Sequence, residues 1–588
     1  MAELRKAPGV ARRLTSSLRR RDLWAFGAIL LVLTAVSVRW LWLYRYGQPY
    51  DIDESGYLSI ALNNHRGLFD GGLRGWWDSV LSPSVQAPLM TAATTPAFLV
   101  AGPNPIVGMI VPLAFGLVAV AATFLLGRRV GGSRAGWMAG LLALGAPLLL
   151  SYSRSYNFAI AATATIALAL LAFAKSDNLE NRGWSAATGL FLGLTALART
   201  MALAFLPAIL LAMVVAVVAG PRRGRRAANA GIAVVVGLAV AFPWYRVNGS
   251  RVYDYLTSFG YGSRAQEYGA AEPFFSWAAW RTTGQYVVNS VYLPYLILLL
   301  VAAVAGGAVV VGHVRRRGIG PAAAAAARSP MMPAALLMAE GLVALTSSQN
   351  KGSGFVAPLI PAMAVCAAWA FARLRVRPRQ VLTGAAVAVV VVNLFAASDL
   401  DEAVARPRRT RVPILGVVIV TDGRSTLQQY EAALDPAASS VAQPLTRREG
   451  VSWVAATADM AARIRAQGGQ AVLTAFGFRH QLLNINSVQL EQLSTEDTTL
   501  PLVQVAPVAT TDTVGGYAAW LSSGGEAAGA CNLLTATGVA HEFPPAVTTT
   551  YMEEAARRAG FVVASQWSLP DERVVTLWRR PATCPSGA

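Results

Sequence analysis

Three acidic side chains, Asp51, Asp53 and Glu54, directly follow the first long apolar stretch of the chain. Carboxylates are costly near hydrocarbon, so acids beside a membrane span indicate a functional site. A carboxylate partly withdrawn from water has a raised pKa and accepts a proton more readily, which makes Asp53 and Glu54 candidates for a general base. Asp51 and Asp53 form a D-x-D pair that could hold a divalent cation. The alternative is that these acids only cap a helix that begins near Ser55.

The elements that must position these acids are membrane helices. The chain is 54% apolar and only 14% charged, which is typical of a polytopic membrane protein. Eleven apolar stretches are each about long enough to cross a bilayer. The predicted spans are 23–45, 105–127, 135–153, 157–174, 184–199, 201–220, 228–246, 286–312, 330–348, 354–372 and 381–398.

The net charge of +19 is unevenly distributed. Residues 400–588 contain 15 basic and 17 acidic side chains, so the positive excess lies in the first 399 residues. There it falls in short loops at every second connection between spans, which is the positive-inside pattern and argues against nucleic-acid binding. The phasing predicts a cytoplasmic N-terminus, a first outer loop over 50–104 and a C-terminal domain outside the membrane.

The predicted organisation is a basic N-terminus (1–22), a transmembrane module (23–398), a linker (399–413) and an extracytoplasmic domain (414–588). From residue 414 onward, strand-like and helical segments alternate, which predicts an α/β domain with a largely parallel sheet. The fold class is therefore a polytopic α-helical membrane protein with a C-terminal α/β domain. This domain shows no catalytic set of residues, so a recognition or support role is expected.

Two cysteines, Cys531 and Cys584, lie in the predicted extracytoplasmic domain. A disulfide between them would fit an oxidising compartment and would hold the C-terminal segment to the domain. The alternative is two separate thiols. The four histidines are scattered and show no metal-binding spacing.

The sequence around the acids resembles the GT-C fold glycosyltransferases of the protein O-mannosyltransferase and lipid A aminoarabinose transferase type. Gln48 to Tyr57 resembles their D-E-x-x-Y element after the first span. Three further segments, 82–89, 241–244 and 349–361, resemble their K/H-P-P-L motif, their P-W pair and their outer lysine loop before a Pro-rich span. The resemblance covers about residues 20–400 and includes the predicted topology.

This resemblance implies a polyprenyl-phosphate sugar as donor and an inverting displacement at the anomeric carbon, in which Asp53 takes the proton of an acceptor hydroxyl. The departing phosphate needs cations, and three basic residues lie at the outer ends of spans, against the positive-inside trend. These candidates for donor phosphate binding are Lys351, Arg199 and Arg154. The alternative for each is a snorkelling side chain that meets lipid phosphate.

Further substrate contacts are expected from Asp51, Tyr57, Gln86, Asn157 and Glu340. Gln86 stands where the family has Lys or His, and Asn157 stands where the aminoarabinose group has a second acid. An amide is a poor metal ligand and no base, so no cofactor is expected, although a divalent metal on Asp51 and Asp53 stays open. Glu340, an acid within the ninth span, is expected either to pair with Arg199 or to contact the donor sugar.

Two other functions fit a polytopic protein. A transporter or flippase would need inverted repeats and polar residues at mid-membrane, whereas here the polar residues gather at the outer ends of spans. A non-catalytic cell-envelope assembly protein would not need acids after the first span. Neither the sugar, a hexose or a pentose, nor the acceptor, a glycan, lipid or protein, follows from the sequence. The Ala/Arg/Val-rich composition indicates a GC-rich bacterium, and hence a location in the cytoplasmic membrane among its lipids.

Overall fold

The computed structural model of the chain describes residues 20–262, 265, 273–291, 293–349, 354–398, 409–412, 417–420, 447–468, 471–480, 482–506, 512–538 and 547–581. Lys351 and Cys584 lie outside these residues.

Between residues 20 and 398, the part of the chain that the structure describes is mostly helical. The helices are α1 (Arg20–Tyr44), α2 (Ile52–Val80), α3 (Leu89–Ala101), α4 (Pro105–Gly108), α5 (Ile110–Leu144), α6 (Pro147–Tyr152), α7 (Ala159–Lys175), α8 (Arg182–Ala198), α9 (Leu206–Ala219), α10 (Arg223–Tyr261), α11 (Trp277–Val291), α12 (Leu293–Arg317), α13 (Ile319–Ala327), α14 (Met332–Ser347), α15 (Ile360–Ala372) and α16 (Val376–Ala397). Short 3₁₀ turns at Thr200–Phe205 and Ala357–Leu359 precede α9 and α15.

Six helices of the described residues are long and apolar enough to cross a membrane, or seven if the bent pair α13 and α14 forms one span. Shorter apolar helices, α3, α7 and the segment Ala357–Ala372, lie among them. Each of the eleven predicted spans coincides with helical segments, but the number that crosses the bilayer stays a prediction.

Helix α5 contains a reversal of the chain at Gly132, where φ is +80°. A Cβ added at Gly127 would lie 2.7 Å from the Ala135 carbonyl, and one at Gly140 would lie 3.0 Å from the Phe124 ring. Residues on either side of Gly132 are therefore packed side by side, as in two antiparallel helices. The prediction of two separate spans at 105–127 and 135–153 agrees with this reversal.

The predicted first outer loop is also helical. Helix α2 is broken at Gly72, and Gly67 and Gly75 approach each other closely enough that a Cβ on Gly67 would lie 2.7 Å from the Gly75 oxygen. The chain thus folds back on itself before it reaches α3. This hairpin carries exposed apolar side chains at Phe69 and Leu73.

The C-terminal domain has helices on both faces of a five-stranded sheet. Its elements are α17 (Arg447–Ala466), β3 (Thr474–Phe476), α18 (Ile485–Glu496), β4 (Leu502–Gln504), α19 (Val514–Leu521), β5 (Asn532–Ala536), α20 (Thr549–Arg558), β6 (Val562–Ser568) and β7 (Val574–Arg579). Side chains alternate between the two faces of each strand. Phe476 and Leu534 accordingly pack in one core, and Ala475 and Leu533 in the other.

The strand order is β4-β3-β5-β7-β6, with β3 parallel to β4 and β5, and β7 antiparallel to β5 and β6. The sheet is therefore mixed, which corrects the prediction of a largely parallel sheet. Strands β6 and β7 follow each other with only a short turn between them, and such a connection can only join antiparallel strands.

The apolar β-branched run over 414–420, with which the predicted domain begins, does not join the five-stranded sheet in its described part. Its described part, β2 (Val417–Val420), pairs antiparallel with β1 (Arg409–Val412) in a separate two-stranded sheet. The β1 strand falls within the predicted linker of 399–413, and the boundaries of that linker stay a prediction.

Cys531 precedes β5 and is disulfide-bonded, whereas Cys366 in α15 is free. Because Cys584 lies outside the described residues, its pairing with Cys531 stays a prediction.

Candidate active site

The start of helix α2 is fixed by a capping box. The Asp51 carboxylate accepts the backbone N–H of Glu54 at 2.8 Å, and the Glu54 carboxylate accepts the N–H of Asp51 at 3.4 Å. Both acids are buried. Asp51 therefore caps the helix, as the alternative sequence interpretation proposed.

Glu54 makes two more contacts that hold separate segments together. It forms an ion pair with Arg45, which follows α1, and it accepts the backbone N–H of Tyr156 at 2.9 Å. Its carboxylate is thus fully committed to protein groups and shielded from water. These contacts assign Glu54 a structural role, and its predicted part in catalysis stays a prediction.

Asp53 points away from this cluster. Its side chain is exposed, and it accepts no hydrogen bond from the described part of the chain. Protein atoms nevertheless surround it closely, so desolvation raises its pKa above the ordinary range; Arg199 and Arg479 oppose this shift and Glu54 adds to it. A raised pKa makes Asp53 a better proton acceptor while it stays accessible to a substrate.

Arg199 lies where α8 ends and the backbone becomes extended before the 3₁₀ turn. Its guanidinium stacks on the Phe355 ring at 4.7 Å from the ring centre. The residue before this ring, Gly354, has φ of +81°, and an added Cβ would lie 2.6 Å from the Ala159 side chain and 3.0 Å from Arg199. Only glycine fits there, because both the backbone conformation and the space exclude a side chain.

An apolar groove of about 320 Å³ leads to Arg199. Its walls come from the 3₁₀ turn at 200–205, the C-terminal ends of α10 and α14, and the segment around Phe355. The lining residues are Arg199, Thr200, Met201, Ala202, Leu203, Ala204, Phe205, Leu256, Gly260, Tyr261, Ala344, Leu345, Ser348, Gly354, Phe355 and Pro358. Arg199 is the only charged side chain of this described lining, so the groove suits an apolar chain with an anionic head.

Arg154, predicted to bind the donor phosphate, is completely buried. Its guanidinium donates to Ser37 Oγ at 3.2 Å, to the Ala397 carbonyl at 2.7 Å and to Ser398 Oγ at 2.8 Å, and it lies over the Trp40 ring. These bonds join α1 to the end of α16. The structure therefore corrects the prediction for Arg154, because its donors are occupied and no ligand can reach them.

Tyr57 lies one helical turn after Asp53 and shares its side of α2. Its ring stacks on Phe158 with 4.1 Å between the ring centres. Burial and the nearby Asp53 charge raise the pKa of its phenol, so it stays a neutral hydrogen-bonding group. Asn157 is buried beside this pair, and its amide oxygen caps α7 by accepting the Ala159 N–H at 3.0 Å. Only the amide nitrogen of Asn157 is left for the predicted sugar contact.

Gln86 is half-buried in the loop between α2 and α3, and its backbone N–H donates to Ser84 Oγ. The sequence analysis missed the residue that holds this loop, Asn248. This buried side chain accepts the Ser84 N–H at 2.8 Å and donates to the Trp244 carbonyl at 3.3 Å. Asn248 follows the P-W pair by one helical turn, and that spacing is the only feature of the sequence that points to it.

Glu340 lies in α14, half-buried, with one carboxylate oxygen buried and without a hydrogen-bond partner in the described part of the chain. The expected pairing with Arg199 is absent from the described residues. Asp51 caps α2 whereas Asp53 is exposed, and the described residues contain no group of three or more His, Cys, Asp or Glu side chains suited to a metal.

Comparisons with known proteins agree with this architecture. Residues 85–245 match the family described as dolichyl-phosphate-mannose-protein mannosyltransferase, a segment that includes Gln86, Asn157 and Arg199. No curated protein matches the chain.

Similar solved structures include ArnT from Cupriavidus metallidurans in the apo state, at 16% identity and a TM-score of 0.54, with 94% of this chain and 98% of that chain covered. ArnT from Cupriavidus metallidurans bound to undecaprenyl phosphate is 17% identical, with a TM-score of 0.54, and the match covers 95% of this chain and 98% of that chain. The Archaeoglobus fulgidus oligosaccharyltransferase tethered with an acceptor peptide is 14% identical, with a TM-score of 0.51, and the match covers 93% of this chain and 74% of that chain.

The chain therefore has the fold of the GT-C membrane glycosyltransferases, with a helical membrane module and a C-terminal α/β domain. The resemblance read from its sequence motifs and the predicted fold class are confirmed.

Proposed function

We propose that this protein is an inverting glycosyltransferase that moves a sugar from a polyprenyl-phosphate donor to an acceptor at the outer face of a bacterial cytoplasmic membrane. One observation carries the proposal: Arg199 lies at the head of an apolar groove and also acts electrostatically on Asp53. A lipid tail in the groove would bring its phosphate to Arg199. The anomeric carbon next to that phosphate would then lie on the side of Asp53.

The reaction follows from these positions. Asp53 takes the proton of the acceptor hydroxyl, the hydroxyl oxygen bonds to the anomeric carbon from the face opposite the phosphate, and the bond from that carbon to the phosphate oxygen breaks. Arg199 stabilises the charge that collects on the phosphate, and such a preplaced cation gives a large part of the rate enhancement. Lys351, which the sequence places three residues before Gly354, is proposed as a second phosphate contact.

The similarity to ArnT bound to undecaprenyl phosphate supports a polyprenyl-phosphate donor, and the mannosyltransferase family match supports sugar transfer. Tyr57, the amide nitrogen of Asn157 and Gln86 are the proposed contacts to the sugar or the acceptor. The acceptor is a glycan, lipid or protein of the cell envelope, and the sugar is a hexose or a pentose.

The test is turnover by purified full-length protein supplied with radiolabelled polyprenyl-phosphate sugars and an envelope extract as acceptor. Asp53→Asn keeps the shape of the side chain and removes the base, so turnover should fall by about 10²–10⁴-fold. Asp70→Asn is the matched control, because Asp70 lies on the same helix in an exposed ion pair with Arg66. Wild-type turnover in Asp53→Asn would refute the assignment of the base.

A further inference from the structure

A second cavity, of about 410 Å³, lies between the membrane module and the C-terminal domain. The membrane module contributes the loop over residues 46–50 and the start of α4, and the C-terminal domain contributes α17 and α18. We call it the interdomain cavity. Its volume is in the range of small-molecule sites, and none of its described lining residues also lines the apolar groove at Arg199.

Direct contacts hold the two walls of the interdomain cavity together. Asn486, in the first turn of α18, donates its side-chain amide to the Ile52 carbonyl at 2.8 Å. A Cβ added at Gly450 in α17 would overlap the Gln48 side chain. Leu490 of α18 is buried in the hydrophobic core of the membrane module. The cavity is therefore formed by the docking of the two domains and keeps a defined shape.

The interdomain cavity and Asp53 lie on different sides of helix α2. Ser55 lines the cavity, and Asp53 does not. Each residue of an α-helix is rotated by about 100° from the residue before it, so residues two apart point to nearly opposite sides. A molecule in the cavity thus lies across the start of α2 from the proposed base.

Glu491 is the only charged side chain of the described cavity lining. It is half-buried, and its carboxylate forms no hydrogen bond or ion pair with the described part of the chain. Burial raises the pKa of Glu491, and the charge of Arg465, which is itself paired with Glu496, opposes that shift. A half-buried carboxylate without a donor is costly, and a ligand hydroxyl that donates to it would remove much of the cost.

Other polar groups of the lining also have unused capacity for hydrogen bonds. The hydroxyls of Thr457 and Ser494 donate to backbone carbonyls of their own helices at 2.9 and 2.7 Å, which leaves their oxygen atoms as acceptors. The side-chain oxygen of Asn104 accepts the Ile106 N–H at 3.0 Å, which leaves its amide nitrogen as a donor. The cavity therefore offers both acceptors and a donor to a ligand.

Two tyrosines form part of the wall on the side of the membrane module. The Tyr46 ring stacks on Trp42 with 5.1 Å between the ring centres, and the Arg45 guanidinium lies over the Tyr50 ring at 5.0 Å from its centre. Neighbouring side chains thus hold both rings in place. Fixed aromatic rings suit the C–H faces of sugars, and the phenol hydroxyl adds a polar edge.

We infer that the interdomain cavity binds a neutral oligosaccharide, the part of the acceptor remote from the reacting hydroxyl. Sugar hydroxyls both donate and accept, so they match the carboxylate, the hydroxyl oxygens and the amide of the lining. An anionic ligand would meet Glu491 and no cation in the described lining. A peptide is commonly bound along a strand edge or by an apolar groove, whereas this lining consists of helices and loops with polar side chains.

This inference rests on the proposed function for the meaning of acceptor, but binding can be measured without turnover. The probes are mannotetraose and cellotetraose, and the protein is the full-length chain in phosphatidylcholine nanodiscs, because glycoside detergents would compete. Saturation-transfer NMR without donor should detect binding of at least one probe to the wild type.

Ser494→Trp places a large ring at the exposed rim of the cavity and should abolish this signal. Thr495→Trp is the matched control, because Thr495 is the next residue, is also exposed and does not line the cavity. It should bind the probe like the wild type.

Glu491→Ala should weaken binding by about tenfold, because a hydrogen bond to a carboxylate is lost. Its melting temperature should not fall, since the carboxylate has no partner in the described part of the chain. Glu496→Ala, on the same helix but outside the cavity, should keep wild-type binding. In a transfer assay, Glu491→Ala should raise the KM for a glycan acceptor and leave kcat unchanged, as for a contact made equally before and during the reaction.

Absence of binding by both probes would overturn the inference, and so would equal binding in Ser494→Trp and Thr495→Trp. Binding of a Ser/Thr-rich peptide in place of the oligosaccharides would also overturn it. Oligosaccharide binding by a protein that transfers no sugar would refute the proposed function alone. Sugar transfer by a protein that binds neither probe would refute the inference alone.

Discussion

The two sides of the start of helix α2 have opposite properties. On one side, Asp51 and Glu54 are buried and form the capping box, and Glu54 is paired with Arg45. On the other side, Asp53 is exposed and accepts no hydrogen bond from the described residues. The closed side makes the helix start rigid. That rigidity positions the open side, where a preplaced base is of use.

Helix geometry explains why neighbouring acids differ in this way. Residues three apart share one side of a helix, whereas consecutive residues point about 100° apart. Asp51 and Glu54 therefore face the protein together, and Asp53 is exposed on the same side of α2 as the half-buried Tyr57. The same contrast holds for the arginines, since Arg154 is enclosed by α1 and α16 whereas Arg199 opens onto the groove.

Substitution of Glu54 should give the largest loss of stability. In Glu54→Gln the buried Arg45 loses its charged partner, which costs about 3–5 kcal/mol. Thermal unfolding in detergent, followed by tryptophan fluorescence, should show a large fall in melting temperature. Asp53→Asn is the matched comparison: desolvation raises the Asp53 pKa, so ionisation of Asp53 costs stability as the pH rises, and the neutral amide avoids that cost.

Asp53→Asn should accordingly melt at or above the wild-type temperature at neutral pH. A lower melting temperature for Asp53→Asn than for Glu54→Gln would contradict the division of helix α2 into a closed and an open side.

Substitutions of Arg154 and Arg199 should likewise affect different properties, stability for Arg154 and donor binding for Arg199. The loss of stability should be somewhat smaller than in Glu54→Gln. Arg154→Ala removes three hydrogen bonds from a dry site and leaves their acceptors unsatisfied, which costs about 3 kcal/mol. Arg199→Ala should leave the melting temperature near that of wild type and instead weaken binding of polyprenyl phosphate by about tenfold or more. Thermal unfolding and titration with polyprenyl phosphate should be measured for both variants. An equal fall in melting temperature would show that Arg199 is structural as well.

Gly354→Ala should give the smallest loss. The added methyl group clashes with Ala159, and the positive φ adds strain of about 1–2 kcal/mol. Because the added methyl group would also lie 3.0 Å from the Arg199 guanidinium, we expect a severalfold higher KM for the donor together with a modest fall in melting temperature. Gly231→Ala, at an open position of a helix, is the control. Unchanged donor binding in Gly354→Ala would show that this glycine does not help to position Arg199.

The amino-acid sequence by itself determined the helices, the division into two parts and the place of the acids after the first span. Hydrophobic pattern and charge are properties of neighbouring residues, so they can be read without the fold. The same local signal, an arginine at the predicted outer end of a span, nevertheless fits both Arg154 and Arg199.

Only the tertiary structure decided which acid is exposed, which arginine is sealed and that the C-terminal domain contacts the start of α2. These outcomes depend on contacts between distant segments, such as Arg154 with Ala397 and Asn486 with Ile52. Burial and electrostatic pairing arise only when such segments meet, and for that reason no local pattern foretold them.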